Sequence, residues 1–152
     1  DYRSYKTART NEYAIEILKE YFPKKRIIDL DLKKSDTIPY QGILHLDCTF
    51  NPIGKDKCII YKDGFVDEND YQLIIDIFGE ENCFHVTAEE MFEMCPNIFS
   101  ISPEVIISDS SFTRMNTFLR DQWGFTVEEI PYREISKMGG LLRCSTMPLV
   151  RE

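Results

Sequence analysis

Amphipathic helical patterns and short apolar runs take turns along this chain, and each helical pattern is cut off by a proline or a glycine, at Pro23, Gly79, Pro96 and Gly124. Alternation of this kind points to a mixed α/β domain. Asn11 is placed to cap a first helix whose apolar face is Tyr13, Ala14, Ile17, Leu18 and Tyr21. Residues 26–32 read as a strand, 33–40 as a polar loop and 42–50 as an extended segment. A strand at 57–61 lies beyond a Gly54-Lys55-Asp56 turn, and it is expected to pair with 42–50 as a hairpin. Tyr71, Ile74, Ile75 and Phe78 recur at helical spacing, and a strand follows at 83–86. Thr87-x-x-Glu90 is a capping-box pattern opening a short helix through Met94. Strands then fit 98–101 and 105–108, and Ser110 or Ser111 is placed to cap a helix carrying Phe112, Met115 and Leu119. Strands at 125–130 and 141–150 complete the set. Strand pairs with an intervening helix suggest a repeated strand-strand-helix-strand module without a strict sequence repeat. No linker or low-complexity run divides the chain, so residues 1–152 read as part of a single domain.

With 152 residues, 43% of them hydrophobic and 12% aromatic, the chain can bury a core and is not a disordered segment. A net charge of -8 argues against a nucleic-acid partner, because phosphate binding needs clustered Lys and Arg. An acidic field favours a cationic ligand. No apolar run approaches the roughly 20 residues that span a bilayer, so no membrane role is expected. The five cysteines are odd in number and irregularly spaced, with no CxxC pair. Such thiols fit a reducing, cytoplasmic setting, and Cys48, Cys58, Cys83 and Cys95 read as packing. Histidine is confined to His45 and His85, too few for a zinc site of conventional spacing, so neither metal nor cofactor is expected. His85 reads as structural.

The fifth cysteine is different. Gly139-Gly140 precedes Leu141-Leu142-Arg143-Cys144 and would deliver that thiol from a tight turn, the way a nucleophile is presented. His45 and Asp47 lie two residues apart in the extended segment, and on a strand such residues share a face. Arg143, adjacent to Cys144, would by the same rule point away from it. A thiol, an imidazole and a carboxylate suffice for covalent chemistry on a cationic substrate. On the residues alone a buried core thiol at Cys144 and a satisfied core histidine at His45 stay open; in the catalytic reading Cys144 would attack, and His45 would protonate the leaving group and then activate the incoming nucleophile.

These segments, with Ala8-Arg9-Thr10-Asn11 before the first helix, resemble the guanidino-group-modifying superfamily, which includes arginine deiminase, dimethylarginine dimethylaminohydrolase and glycine amidinotransferase. The order of the His-x-Asp and Gly-Gly-x-x-x-Cys segments matches, and the resemblance runs nearly end to end. It implies a pseudo-fivefold α/β propeller around a polar channel, of which this chain would supply roughly the last three modules. It also implies a small cationic guanidino substrate, bound through Asp47. Arg9 becomes a candidate for a substrate carboxylate, and Asn97, which resembles a family asparagine that precedes a strand near the channel, becomes a further substrate-binding candidate. Gly139 and Gly140 would support the site. The family carries a further acidic segment upstream of Arg-Thr-Asn, and nothing in this sequence corresponds to it. The chain therefore reads as the C-terminal part of a longer protein.

The implied activity is hydrolysis of a guanidino C–N bond through a covalent amidino-thioether on Cys144. Amidino transfer to an acceptor amine is the alternative. The segment from His45 to Asn51 is closer to amidinotransferases, whereas Gly140 to Cys144 is closer to the dimethylarginine hydrolases. A third reading is a catalytically inactive binding or assembly module.

Overall fold

The computed structural model describes residues 5–7, 10–35 and 37–150. A short antiparallel pair, β1 (Tyr5–Thr7) and β2 (Thr10–Asn11), leads into helix α1 (Glu12–Tyr21). Strands β3 (Phe50–Ile53) and β4 (Lys57–Ile60), helix α2 (Glu68–Phe78) and strand β5 (Cys83–His85) follow. Helix α3 (Ala88–Phe92) connects them to strands β6 (Phe99–Ser100) and β7 (Val105–Asp109), helix α4 (Thr113–Asp121) and strand β8 (Thr126–Ile130). A 3-10 segment at Arg133–Met138 and a single helical turn, α5 (Leu142–Ser145), end the described chain.

Among the described residues the strand-strand-helix-strand module is thus present twice. In each copy the first two strands are antiparallel, and the third lies parallel to the middle one, in the orders β3-β4-β5 and β6-β7-β8. A parallel partner requires a crossover, which α2 and α4 provide. The middle strand of each sheet is covered on both faces: Cys58, Ile59 and Ile60 of β4 and Ile106 of β7 are fully buried. Tyr71, Ile74 and Ile75 on α2 and Met115 and Leu119 on α4 close over them in one continuous cluster. Each such aliphatic side chain contributes about 1.5–3 kcal/mol on burial. The two modules touch at Gly54, whose φ of +59° turns the β3–β4 hairpin. A Cβ there would lie 2.7 Å from the Phe125 ring. The two sheets are separate among the described residues, and no described helix is long and apolar enough to cross a membrane.

The starts of α1 and α3 follow the sequence. Asn11 accepts from the Ala14 amide at 3.0 Å, and both halves of the Thr87/Glu90 capping box are formed. The buried face of α1 is not the expected one. Ile15 is its buried residue, while Tyr13 and Tyr21 are 73% and 76% exposed. The extended reading of 26–32 reduces to an isolated bridge between Leu32 and Phe65, because this stretch pairs with an irregular turn instead of a strand: Lys33 N–H donates to Gly64 and Val66 N–H to Asp31. Residues 42–50 are not a strand either. A 3-10 turn at Leu46–Cys48 interrupts them, closed by Cys48 N–H to His45 and Thr49 N–H to Leu46, and the partner of β4 begins only at Phe50. The 141–150 strand is replaced by α5, since two successive left-handed glycines redirect the chain into a helical turn.

Neither Ser110 nor Ser111 caps α4. Asp109, buried at the end of β7, performs the local anchoring. Its carboxylate accepts from Ser111 N–H and Oγ at 2.8 and 2.6 Å and from Tyr132 N–H at 2.6 Å. Burial alone would raise the Asp109 carboxyl, but these hydrogen bonds outweigh it and hold it below the usual carboxylate range. Its contribution is therefore present above the unfolded value of about 3.9 and is lost as pH falls through the depressed folded value. Asp109→Ala is expected to cost about 2–4 kcal/mol near neutrality. Urea unfolding of both proteins at neutral pH and at about pH 2–3 checks this: the gap should be wide at the first and narrow at the second.

Candidate active site

Two glycines set the position of Cys144. Gly139 and Gly140 have φ of +85° and +92°, and a Cβ on Gly140 would come within 2.7 Å of Cys144 Cβ and 3.1 Å of its sulfur. Only a residue without a side chain admits both the turn and that approach. The turn is anchored from below by Leu141 and Leu142, both buried. Arg143 N–H donates to the Asn97 carbonyl at 3.0 Å, and the Ser145 and Thr146 hydroxyls donate back to Leu141 and Leu142 at 2.6 and 2.8 Å. The thiol itself is on an exposed residue.

The 3-10 turn at Leu46–Cys48 faces it. His45 is the extended residue that opens the turn and Asp47 lies within it, both half-buried. Tight winding, not strand alternation, turns both side chains the same way. Donor atoms of His45, Asp47 and Cys144 all lie within 4.8 Å of one another. They number one fewer than the four ligands of a structural zinc site. Beside them opens a cavity of about 600 Å³, lined among others by His45, Asp47, Phe50, Asn51, Ile98 and Arg143. Arg143 is predicted by strand alternation to point away from the site. It lines this cavity because α5 is a helical turn, in which neighbouring residues do not alternate between two faces.

Asn97 is fully buried behind the trio. Its carboxamide bonds to Leu141 N–H, Cys144 N–H, Cys144 Sγ and the Asp47 carbonyl. Asn51, not singled out from the sequence, donates to the Pro96 and Ile98 carbonyls at 2.7 and 3.1 Å, bracketing Asn97. A polar residue inside an apolar hairpin strand was the signal available for it. Arg9 lies outside the described residues.

The remaining thiols differ in environment. Cys48, Cys58, Cys83 and Cys95 are all buried. Burial, with Asp47 alongside, pushes the Cys48 thiol up to about 12, and burial raises Cys58, Cys83 and Cys95 as well. Thiols of this kind stay protonated and inert at neutral pH. His85 contacts Glu80 at 3.0 Å, away from the trio.

The fold is shared with enzymes of known structure. The N-terminal domain of ArgZ, an arginine dihydrolase from the ornithine-ammonia cycle in cyanobacteria, superimposes with a TM-score of 0.75 at 20% identity, covering 93% of this chain and 48% of that one. SxtG, an amidinotransferase of the saxitoxin biosynthetic pathway from Microseira wollei, gives 0.71 at 20% identity over 94% and 40%. At these identities the likeness is one of fold. Among curated proteins, the uncharacterized protein YkgA of Bacillus subtilis (strain 168) is 32% identical over 144 residues, which are 94% of this chain and 46% of the relative. The chain thus spans about half the length of the relatives it matches. Residues 4–151 match the eukaryotic N,N dimethylarginine dimethylhydrolase family, and the chain belongs to that family within the guanidino-group-modifying enzymes.

Proposed function

We propose that the protein is a hydrolase of the C–N bond in a guanidino substrate, with Cys144 as nucleophile and His45 as the proton-transferring group. The observation that carries this reading is the meeting of an exposed thiol, an imidazole and a carboxylate within 4.8 Å at the edge of a cavity. Family membership supports hydrolysis over the other outcomes.

A guanidinium carbon is a poor electrophile, because its charge is spread over three nitrogens, so it needs a strong nucleophile and a firmly held cation. In the proposed sequence Asp47 pairs with one edge of the guanidinium through charge-assisted hydrogen bonds. The Cys144 thiolate forms a C–S bond to the carbon. Collapse breaks the C–N bond, and protonated His45 gives its proton to the departing amine. An amidino-thioether remains. Neutral His45 then takes a proton from water as the oxygen bonds to the carbon. The C–S bond breaks as the remaining hydroxyl proton passes to solvent, returning the thiolate and releasing a ureido product. An amine in place of water would give amidino transfer. Arg143, lining the cavity, is placed to pair with a carboxylate at the far end of the substrate.

We further propose that the chain is the C-terminal portion of one propeller-shaped catalytic domain. Support comes from the repeated module, the half-length match to relatives and the exposed apolar side chains of α1, Tyr13, Leu18 and Tyr21.

Cys144→Ser is expected to lower kcat by at least about 10³-fold, and His45→Ala by about 10²–10⁴-fold, with unfolding transitions unchanged. Ammonia or alkylamine release by the intact protein from arginine, methylated arginines, agmatine and guanidinoacetate, with and without an acceptor amine, checks this. Activity near wild type in either variant would move the chemistry elsewhere. Since an unpaired buried charge costs several kcal/mol, Asp47 needs a second acid on the other edge of the guanidinium. The 152-residue chain alone should bind arginine more weakly than the intact protein in calorimetric titration. Equal affinity would show that an acid within this chain completes the site.

A further inference from the structure

Every hydrogen-bonding position of the Asn97 side chain is used, and every partner belongs to the site. Oδ1 accepts from Leu141 N–H at 2.8 Å and from Cys144 N–H at 3.2 Å. Nδ2 donates to Cys144 Sγ at 3.3 Å and to the Asp47 carbonyl at 3.4 Å. Two main-chain donors on one side fix which end is the oxygen, so the amide orientation is not ambiguous. With the side chain at 0% exposure, no polar atom of Asn97 is left for a substrate.

The residue is also held from behind. Asn51 binds the carbonyls on either side of it, its own N–H donates to Met94 at 2.9 Å, and its carbonyl accepts from Arg143. Met94 adopts a left-handed φ of 65° in a Schellman arrangement that ends α3: Cys95 N–H reaches Glu90 and Met94 N–H reaches Met91. Strained backbone at a non-glycine residue persists only where the surroundings over-determine it. Here it delivers Pro96 and Asn97 into the site.

Titratable groups facing the Cys144 sulfur are His45, Asp47 and Cys48 from the opposing turn, while Arg143 of its own turn lines the cavity beside His45 and Asp47. Asp47 opposes negative charge on that sulfur. A fixed N–H donor in a buried setting strengthens as the acceptor becomes anionic.

We propose that Asn97 is the positioning residue of this site: its amide N–H groups hold the Cys144 sulfur and the Asp47 main chain in register, while its carbonyl holds the turn that bears the thiol. The inference rests on the reading of Cys144 as nucleophile. It assigns Asn97 to the nucleophile rather than to the substrate, the role suggested by family resemblance.

Asn97→Asp separates the two halves of the role, because it keeps an oxygen for the Leu141 and Cys144 N–H groups and removes both donors. In the intact protein, labelling of Cys144 by chloroacetamidine and kcat should each fall about tenfold or more, while KM stays within about threefold. Asn97→Ala, losing the acceptor too, should fall further and unfold at lower temperature. Rates within about twofold of wild type in Asn97→Asp would overturn the proposal. Should that variant fail to fold by circular dichroism, the Asn97 side-chain amide resonances of the wild-type protein decide: they should move when chloroacetamidine modifies Cys144, and unchanged resonances would refute the contact. Slow, unselective labelling of wild-type thiols would instead remove the nucleophile reading itself, before any variant is made.

Discussion

A buried carboxamide between three chain segments is the contact on which the geometry of the site depends. The turn bearing His45 and Asp47, the entry to β6 and the turn bearing Cys144 are far apart in sequence and share no sheet. They meet through Asn97, which bonds to Asp47 on one side and to Leu141 and Cys144 on the other. Such a group is costly if any position goes unmatched, and fully matched it fixes one arrangement. Asn51 transmits the rigidity of the β3–β4 hairpin to this point through the Pro96 and Ile98 carbonyls. The apolar core of the two modules is thus tied to the Asp47 main chain and the Cys144 sulfur through the hydrogen bonds of Asn51 and Asn97.

Burial divides the cysteines into two kinds. Cys58 and Cys83, opposite each other on β4 and β5 with sulfurs 3.4 Å apart, fill the core of the first module, and Cys95 packs on Met115. Cys48 is the instructive neighbour, because it lies beside Asp47 yet is sealed, with its thiol pushed up to about 12 by burial. Its position near the site confers no reactivity, since a thiol must ionise and be reached. Cys144 is reachable because Gly140 leaves room for the chain to fold back beneath it.

Much of this was legible in the sequence wherever a local rule acts alone. Asn11, Thr87 with Glu90 and Gly79 mark helix ends that the structure reproduces, because capping is settled within one turn. The repeated module followed from helical and strand periods. What failed depended on tertiary partners. Residues 42–50 alternate like a strand, yet Cys48 and Thr49 donate back to His45 and Leu46 and wind the chain into a turn. Two residues apart still meant the same side, for a different reason. For 141–150 the glycine pair signals a turn, but nothing local shows that Asn97 holds the following amides in a helical turn and leaves Arg143 on the cavity. The anchoring role of Asp109 was hidden because its partner Tyr132 lies across β8.

The most direct test of the account is a crystal structure of the intact Cys144→Ser protein with a bound guanidino substrate. The guanidino carbon is expected against the residue 144 side chain, with the Asp47 carboxylate on one edge of the guanidinium and the His45 ring beside the departing nitrogen. A substrate bound away from residue 144, or a guanidinium with neither Asp47 nor His45 in contact, would contradict it.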